Sequence, residues 1–210
     1  MPHPPGIDLD AQVRDCIRWI ATQHRDVDPV VAVGMGHYQF ETLHPFNDGN
    51  GRIGRLLIVL QLHTNHVLVE PTLTVSPWFE ARRSEYDDRM LAVSAAGDWD
   101  GWIRFFATGV STSATATNRQ LTDLLAVQSD LKQRVRAARL RAETAMRLVD
   151  FALEQPIFTV RQAQHHLGVT YPRANALVGQ MVEAAILSQH DDSSYHRRFT
   201  APDVLAVLLR

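Results

Sequence analysis

Twelve consecutive residues, His44-Pro45-Phe46-Asn47-Asp48-Gly49-Asn50-Gly51-Arg52-Ile53-Gly54-Arg55, gather the side chains in this chain best suited to chemistry. They supply a histidine able to take a proton near neutral pH, a carboxylate able to hold a hard cation, and two arginines three positions apart. The apolar run Leu56-Leu57-Ile58-Val59-Leu60 follows at once and reads as the start of a buried helix, so the chemistry falls at a loop-to-helix junction. Backbone N–H groups at a helix start are unpaired and sit at the positive end of the dipole, which suits a phosphate. Gly49 and Gly51 allow backbone conformations and close approaches that a side chain would block. Arg52 and Arg55 share one helix face. A Gly-rich turn with Asp48 as a cap would explain part of this stretch, but it has no use for His44, Asn50 and both arginines together.

The rest of the composition bounds what surrounds this stretch. The chain has 210 residues, 45% of them hydrophobic, enough for one large domain or one domain plus a small one. A net charge of -2 gives no global basic field for nucleic acid. The single cysteine, Cys16, excludes an internal disulfide and a cysteine-based zinc site. No apolar run approaches the ~18 residues of a membrane span, and the N-terminus is not a signal peptide, so no membrane partner and a cytoplasmic location are expected.

Helices must position the stretch. Asp8 or Asp10 is expected to cap a first helix with Val13, Ile17 and Ile20 on one face. Asp28-Pro29 opens a second that stops before Pro45. The loop spans Phe46 to Gly51, and the next helix runs from near Arg52 to His63. Ser76-Pro77 restarts a helix through Phe79, Arg82, Tyr86 and Met90, broken at Gly97-Asp98. Trp99 to Val110 forms a helix whose aromatics belong to a core. Arg119 to Asp150 reads as a long charged helix, with Arg134, Arg136, Arg139 and Arg141 on a solvated face. Then Arg147 to Glu154 reads as a short helix ended by Gln155-Pro156, Thr159 and Gly168 bracket a second, Thr170 starts a third through Glu183, and two short strands flank Asp191-Asp192-Ser193-Ser194. That order is a winged helix-turn-helix.

The motif resembles the signature of the Fic (filamentation-induced) family, His-x-Phe-x-Asp/Glu-Gly-Asn-Gly-Arg-x-x-Arg. His44, Phe46, Asp48, Gly49, Asn50, Gly51, Arg52 and Arg55 fill its fixed positions. His37 to Glu41 before it, Ser84-Glu85-Tyr86 after it and Gly97 to Trp102 agree with the flanks. The resemblance implies an all-α fold: a Fic helical core over 1–118, a connecting helix over 119–145 and a winged helix over 146–210. It implies a protein adenylyltransferase moving AMP from ATP to a Ser, Thr or Tyr hydroxyl of a target protein. By resemblance His44 is the general base, Asp48 holds Mg²⁺, the Gly49-Asn50-Gly51 amides cradle phosphates, and Phe46 seats the loop in the core. Arg52 and Arg55 neutralise the polyphosphate, with Gly54 beside them. Tyr86 matches a position lining the nucleotide pocket, although the second tyrosine often found after it is Asp87 here. Gly51 stands where the related Doc kinases carry lysine, which favours nucleotidyl over phosphoryl transfer.

Departures from the family shape further expectations. No glutamate is followed by Gly or Asn, so the inhibitory Ser/Thr-x-x-x-Glu-Gly/Asn motif is absent and no cis-inhibition of Arg55 is expected. The Pro-rich start resembles the segment after the family's target-docking flap, so flap and inhibitory helix are expected to be missing and docking weakened. The winged helix, with Arg173 the only cation on the helix from Tyr171 to Glu183, suits protein docking or support of a homodimer better than reading DNA. The alternatives are a catalytically impaired regulator, acting on DNA through the winged helix, and transfer of another nucleotide such as UMP.

Overall fold

Capping chemistry sets several of the helix boundaries. A computed structural model describes residues 7–22, 27–140, 142–190 and 197–209. The Pro-rich start, Arg141, the expected turn Asp191-Asp192-Ser193-Ser194, His196 and Arg210 lie outside the described residues. The chain divides into two units, Met1–Thr117 and Asn118–Arg210. Both are predominantly helical, and the fold is all-α but for one small sheet.

In the first unit, α1 covers Ile7–Thr22, so Asp8 and Asp10 lie in its first turn, where they complement the helix dipole, and are not its N-cap. Its inward face centres on Cys16, whereas Ile17 is largely exposed, because the inward stripe runs through 13, 16 and 20. Helix α2 is Pro29–Leu43; Asp28 accepts hydrogen bonds from the N–H groups of Val30 (2.9 Å) and Val31 (3.3 Å), and Pro29 takes the first turn. Helix α3 is Asn50–Thr64. The stretch expected as one helix from Ser76 is two, α4 (Ser76–Glu80) and α5 (Arg83–Ala96), with Gly97 closing the second in the left-handed region at φ 69°. Helix α6 runs unbroken from Trp99 to Ala137, through a Ser/Thr/Ala-rich segment at Ser111 to Thr117.

Aromatic rings dominate this unit's core. Trp102 and Phe106 are fully buried among Val33, Ile58, Leu62 and Phe79. The Trp102 indole N–H donates to the Gly34 carbonyl at 2.9 Å, so its one polar group is satisfied where water is absent. Gly34 has no room for a side chain: a Cβ there would lie 2.9 Å from Phe106 Cδ1.

The second unit begins within α6. The long helix expected over 119–150 is interrupted: α6 stops at Ala137, Arg139 turns the chain with φ 53°, and α7 starts at Ala142. The expected span of 119–145 as one connecting helix is therefore replaced by two helices, and its Leu131 and Val135 are core residues of this unit. Arg134 is not on a solvated face. It pairs with Asp130 at 2.9 Å and with Asp203, and donates to the Ala185 carbonyl at 3.1 Å. After α7 (Ala142–Glu154) come β1 (Ile157–Thr159), α8 (Val160–Leu167), α9 (Tyr171–Glu183), β2 (Ser188–Gln189), β3 (Arg198–Thr200) and α10 (Pro202–Leu208). A full capping box of Thr159 and Gln162 starts α8, and Gly168 ends it at φ 66°. The sheet order is β1-β3-β2, all antiparallel, with Phe158 opposite Phe199 and Ser188 opposite Thr200. Strand β1 and helix α10 have no counterpart in the expectation, being short segments without a clear period.

Trp102→Ala removes the largest fully buried side chain among the described residues, together with its hydrogen bond to the Gly34 carbonyl. We expect a loss of about 3–5 kcal/mol in urea unfolding followed by far-UV circular dichroism. A loss below ~1 kcal/mol would contradict this packing.

Candidate active site

The loop begins where α2 is forced to stop. His44 adopts the left-handed conformation (φ 49°), and its N–H donates to the Phe40 carbonyl at 3.1 Å. This helix-ending turn needs no glycine here because histidine is among the residues that tolerate it. Pro45 cannot continue the helix, and the imidazole is left exposed at the loop entrance.

Asn50 closes the loop. Its side-chain amide donates to the Phe46 carbonyl at 2.5 Å, and its side-chain oxygen accepts from the Phe46 N–H at 2.9 Å. The side chain is almost fully buried, so this reciprocal pair fixes the loop between Phe46 and the start of α3. That corrects the role expected for Phe46. Its ring is 47% exposed, resting at 6.4 Å from Phe40, and the backbone of Phe46 rather than its ring anchors the loop.

Gly49 is the N-cap of α3 at φ 87°, with no side-chain cap on the helix start. The first-turn N–H groups thus receive no capping side chain and face the loop. A Cβ on Gly49 would lie 3.4 Å from Arg52 Nη2, and one on Gly51 would lie 3.2 Å from Arg55 Nη1. Both guanidinium groups therefore lean over the glycines. Asp48 lies at the exposed edge, its carboxylate 3.1 Å from Arg52 and accepting the Gly49 N–H at 2.7 Å.

Arg55 has partners that the motif alone does not announce. Its Nε donates to Ser76 Oγ at 2.9 Å, and its Nη2 pairs with Glu80 at 3.0 Å. This arginine is not unpaired: a carboxylate from α4 engages it. Ser76 and Glu80 bore no site role in the sequence, because nothing in their spacing ties a short helix twenty-odd residues downstream to the loop.

Two further expectations change. Gly54 points away from the loop into the α2–α3 contact, where a Cβ would lie 2.2 Å from Glu41 Oε1 and 3.1 Å from His37 Cε1. Tyr86 faces inward as well. Its hydroxyl is hydrogen-bonded to His37 Nε2 at 2.9 Å and its ring packs edge-on against Trp102 and Phe79, so it braces the core beneath the loop. Burial pushes the Tyr86 hydroxyl well above its ordinary pKa, with the Glu41 and Asp87 charges adding to the rise. Burial likewise pushes the His37 imidazole from 6.5 down to about 4, against a smaller opposing effect of the Gly54 backbone.

An open groove of about 590 Å³ between α1, α2 and the start of α6, lined in part by Cys16, Trp19, Met35 and Trp99, holds none of the motif residues. The chemistry-bearing groups lie instead on the exposed loop and the first turns of α3. Among the described residues, no group of three or more histidine, cysteine or acidic side chains could hold a metal by itself.

Residues 1–62 match the model of the Fic/DOC family. The chain carries a Fic domain. Proteins named protein adenylyltransferase Fic from Drosophila sechellia, Drosophila simulans and Drosophila melanogaster are each 30% identical over 136 residues, 64% of this chain. The match spans only 25% of the length of those relatives. A solved Fic family protein from Desulfovibrio desulfuricans G20 aligns over 94% of this chain and 56% of its own, at 21% identity and a TM-score of 0.48. Within the Fic domain the loop, both arginines and His44 all lie inside the matched residues.

His37 gives the Fic domain an acid-sensitive core. The folded state keeps it neutral down to about pH 4, whereas the unfolded chain binds the proton below 6.5. Its contribution is complete above pH 6.5 and is lost as pH falls towards 4, by roughly 3 kcal/mol at most. His37→Gln keeps a partner for Tyr86, so its urea midpoint is expected to vary less than wild type between those limits. Parallel pH profiles would assign the acid sensitivity elsewhere.

Proposed function

We propose that the Fic domain transfers AMP from ATP to a Ser, Thr or Tyr hydroxyl of a protein, with His44 as general base. The observation that carries this is that an exposed imidazole and a carboxylate on a loop held shut by Asn50 adjoin two guanidinium groups from the first turns of α3. The names of the relatives support the same class of reaction. In this reaction His44 takes the proton of the target hydroxyl. The hydroxyl oxygen bonds to the α-phosphorus, and the bond from that phosphorus to its bridging oxygen breaks. Pyrophosphate leaves with the electron pair. Arg52 and Arg55 stabilise charge on the polyphosphate, and the uncapped start of α3 offers N–H donors to it. Pre-held donors suit a transfer that depends on positioning and electrostatics.

Asp48 is a single exposed carboxylate, which fits Mg²⁺ arriving with a nucleotide better than a cage made wholly by protein, since Mg²⁺ binds through one or two carboxylates plus phosphates. When bound it would neutralise phosphate charge next to Asp48. The preference for nucleotidyl transfer draws support from Gly51, because a long side chain there would contest the space of the Arg55 guanidinium.

The second unit reads best as a winged helix: α7, α8 and α9 followed by the β2–β3 pair, with β1 completing the sheet. Its Arg197 is tied to Asn175 at 2.9 Å and lies over the Phe199 ring, which favours a protein-docking or dimer-supporting module over a DNA reader.

Incubation with ATP and Mg²⁺, read by intact mass on the protein itself and by labelling of lysate proteins, should give AMP adducts that His44→Ala abolishes. Absence of label from α-labelled ATP in every lysate would refute the transferase reading. A second outcome concerns Glu80. Its pair with Arg55 is partly exposed and worth no more than ~1 kcal/mol, so Glu80→Gln should tighten ATP binding up to about fivefold by calorimetry. Weaker binding would mean that Glu80 positions Arg55 for the nucleotide instead of competing with it.

A further inference from the structure

Glu41 lies behind the motif loop, in the last turn of α2, three residues before His44. Its Oε1 is buried and makes no hydrogen bond with another protein group, and the nearby His37 Nδ1 is in the same position. A buried carboxyl oxygen without a donor is costly unless the group serves a charge nearby. The space it fills exists only because residue 54 is glycine: any Cβ there would overlap Oε1 at 2.2 Å. The charges that act on it are those of His44, three residues on at the cap of α2, and Arg55 from α3; it acts in turn on Tyr86 from α5, and His37 lies beside it against Gly54. His44 and Arg55 are cations or become so, and both favour the ionised carboxylate against the effect of burial, which pushes Glu41 above the ordinary glutamate range. His37 is neutral and Tyr86 is committed to it, so neither neutralises Glu41.

We propose that Glu41 is a positioning residue for His44: a carboxylate lodged in the gap left by Gly54 that stabilises the imidazolium formed when His44 takes a proton. The assignment rests on His44 being the base in the transfer reaction. A carboxylate behind an imidazole favours the charged ring, as it does in the histidine-carboxylate pairs of hydrolases, and in a partly buried site the effect is little screened. Glu41 does not touch the reacting atoms. It acts through the histidine, so its loss should slow the chemical step and leave nucleotide binding alone.

The test compares wild type with Glu41→Gln, which keeps shape and removes charge. In AMP transfer, kcat is expected to fall about tenfold or more while KM for ATP stays within twofold. Independently of activity, the His44 ring resonances of the wild type should show an acid-side inflection that coincides with titration of the Glu41 carboxyl carbon, and Glu41→Gln should erase it. Gly54→Ala, which retains the charge but expels the carboxyl group from its space, should lower kcat in the same way; circular dichroism checks that both variants are folded. Unchanged kcat in folded Glu41→Gln, or His44 resonances indifferent to Glu41, overturns the inference. If wild type transfers no AMP, the transferase reading fails by itself, and the resonance experiment still decides whether Glu41 and His44 are coupled.

Discussion

The close approach of α2 and α3 is the constraint from which the rest of the Fic domain's site follows. Gly54 lets the two helices meet at a distance that leaves no room for a methyl group. Into that contact α2 sends His37 and Glu41, and out of its end it sends His44. Helix α3 returns Arg52 and Arg55 on the far side of the loop. A wider spacing would separate the imidazole from the guanidinium groups, and no adjustment of the loop alone would restore it. The aromatic core beneath, with His37 stacked on Trp102 and bonded to Tyr86, keeps that spacing rigid from below.

Above the contact, the loop is short and held by side-chain chemistry instead of by its own ring. Asn50 does for Phe46 what a strand partner would do, engaging both N–H and C=O. Phe46 is thereby freed to stay half exposed. Arg52 and Arg55 both pair with carboxylates that are themselves exposed, so a stronger anion can displace those partners. The site thus joins a fixed backbone to adjustable charges, an arrangement suited to a ligand that brings charge of its own.

Much of this was legible in the sequence. Asp28-Pro29, Gly97, Thr159 and Gly168 announce helix ends through chemistry that acts within a few residues, and each acts where expected. The loop residues were recognisable for the same reason: their roles depend on neighbours in sequence. What escaped depends on neighbours in space. Ser76 and Glu80 reach Arg55 across an intervening connector, and the inward turn of Gly54 and Tyr86 is decided by how helices pack. Local composition also misjudged length. The Ser/Thr/Ala segment near residue 115 has no breaker, so α6 continues through it, while Arg139 ends a stretch whose leucine pattern alone would have carried on.

Asn50 has one more consequence, in the chemical durability of the chain. An Asn-Gly pair in a flexible peptide ages readily: the glycine nitrogen attacks the asparagine side-chain carbonyl, ammonia departs, and the backbone is rewritten through a cyclic imide. Asn50-Gly51 is such a pair. Here the amide nitrogen and the oxygen of that side chain are both held by Phe46, and the helical backbone keeps the Gly51 nitrogen from turning toward it. The contact that shapes the loop also protects it from slow self-modification at the position where a single lost ammonia would turn a structural amide into an acid.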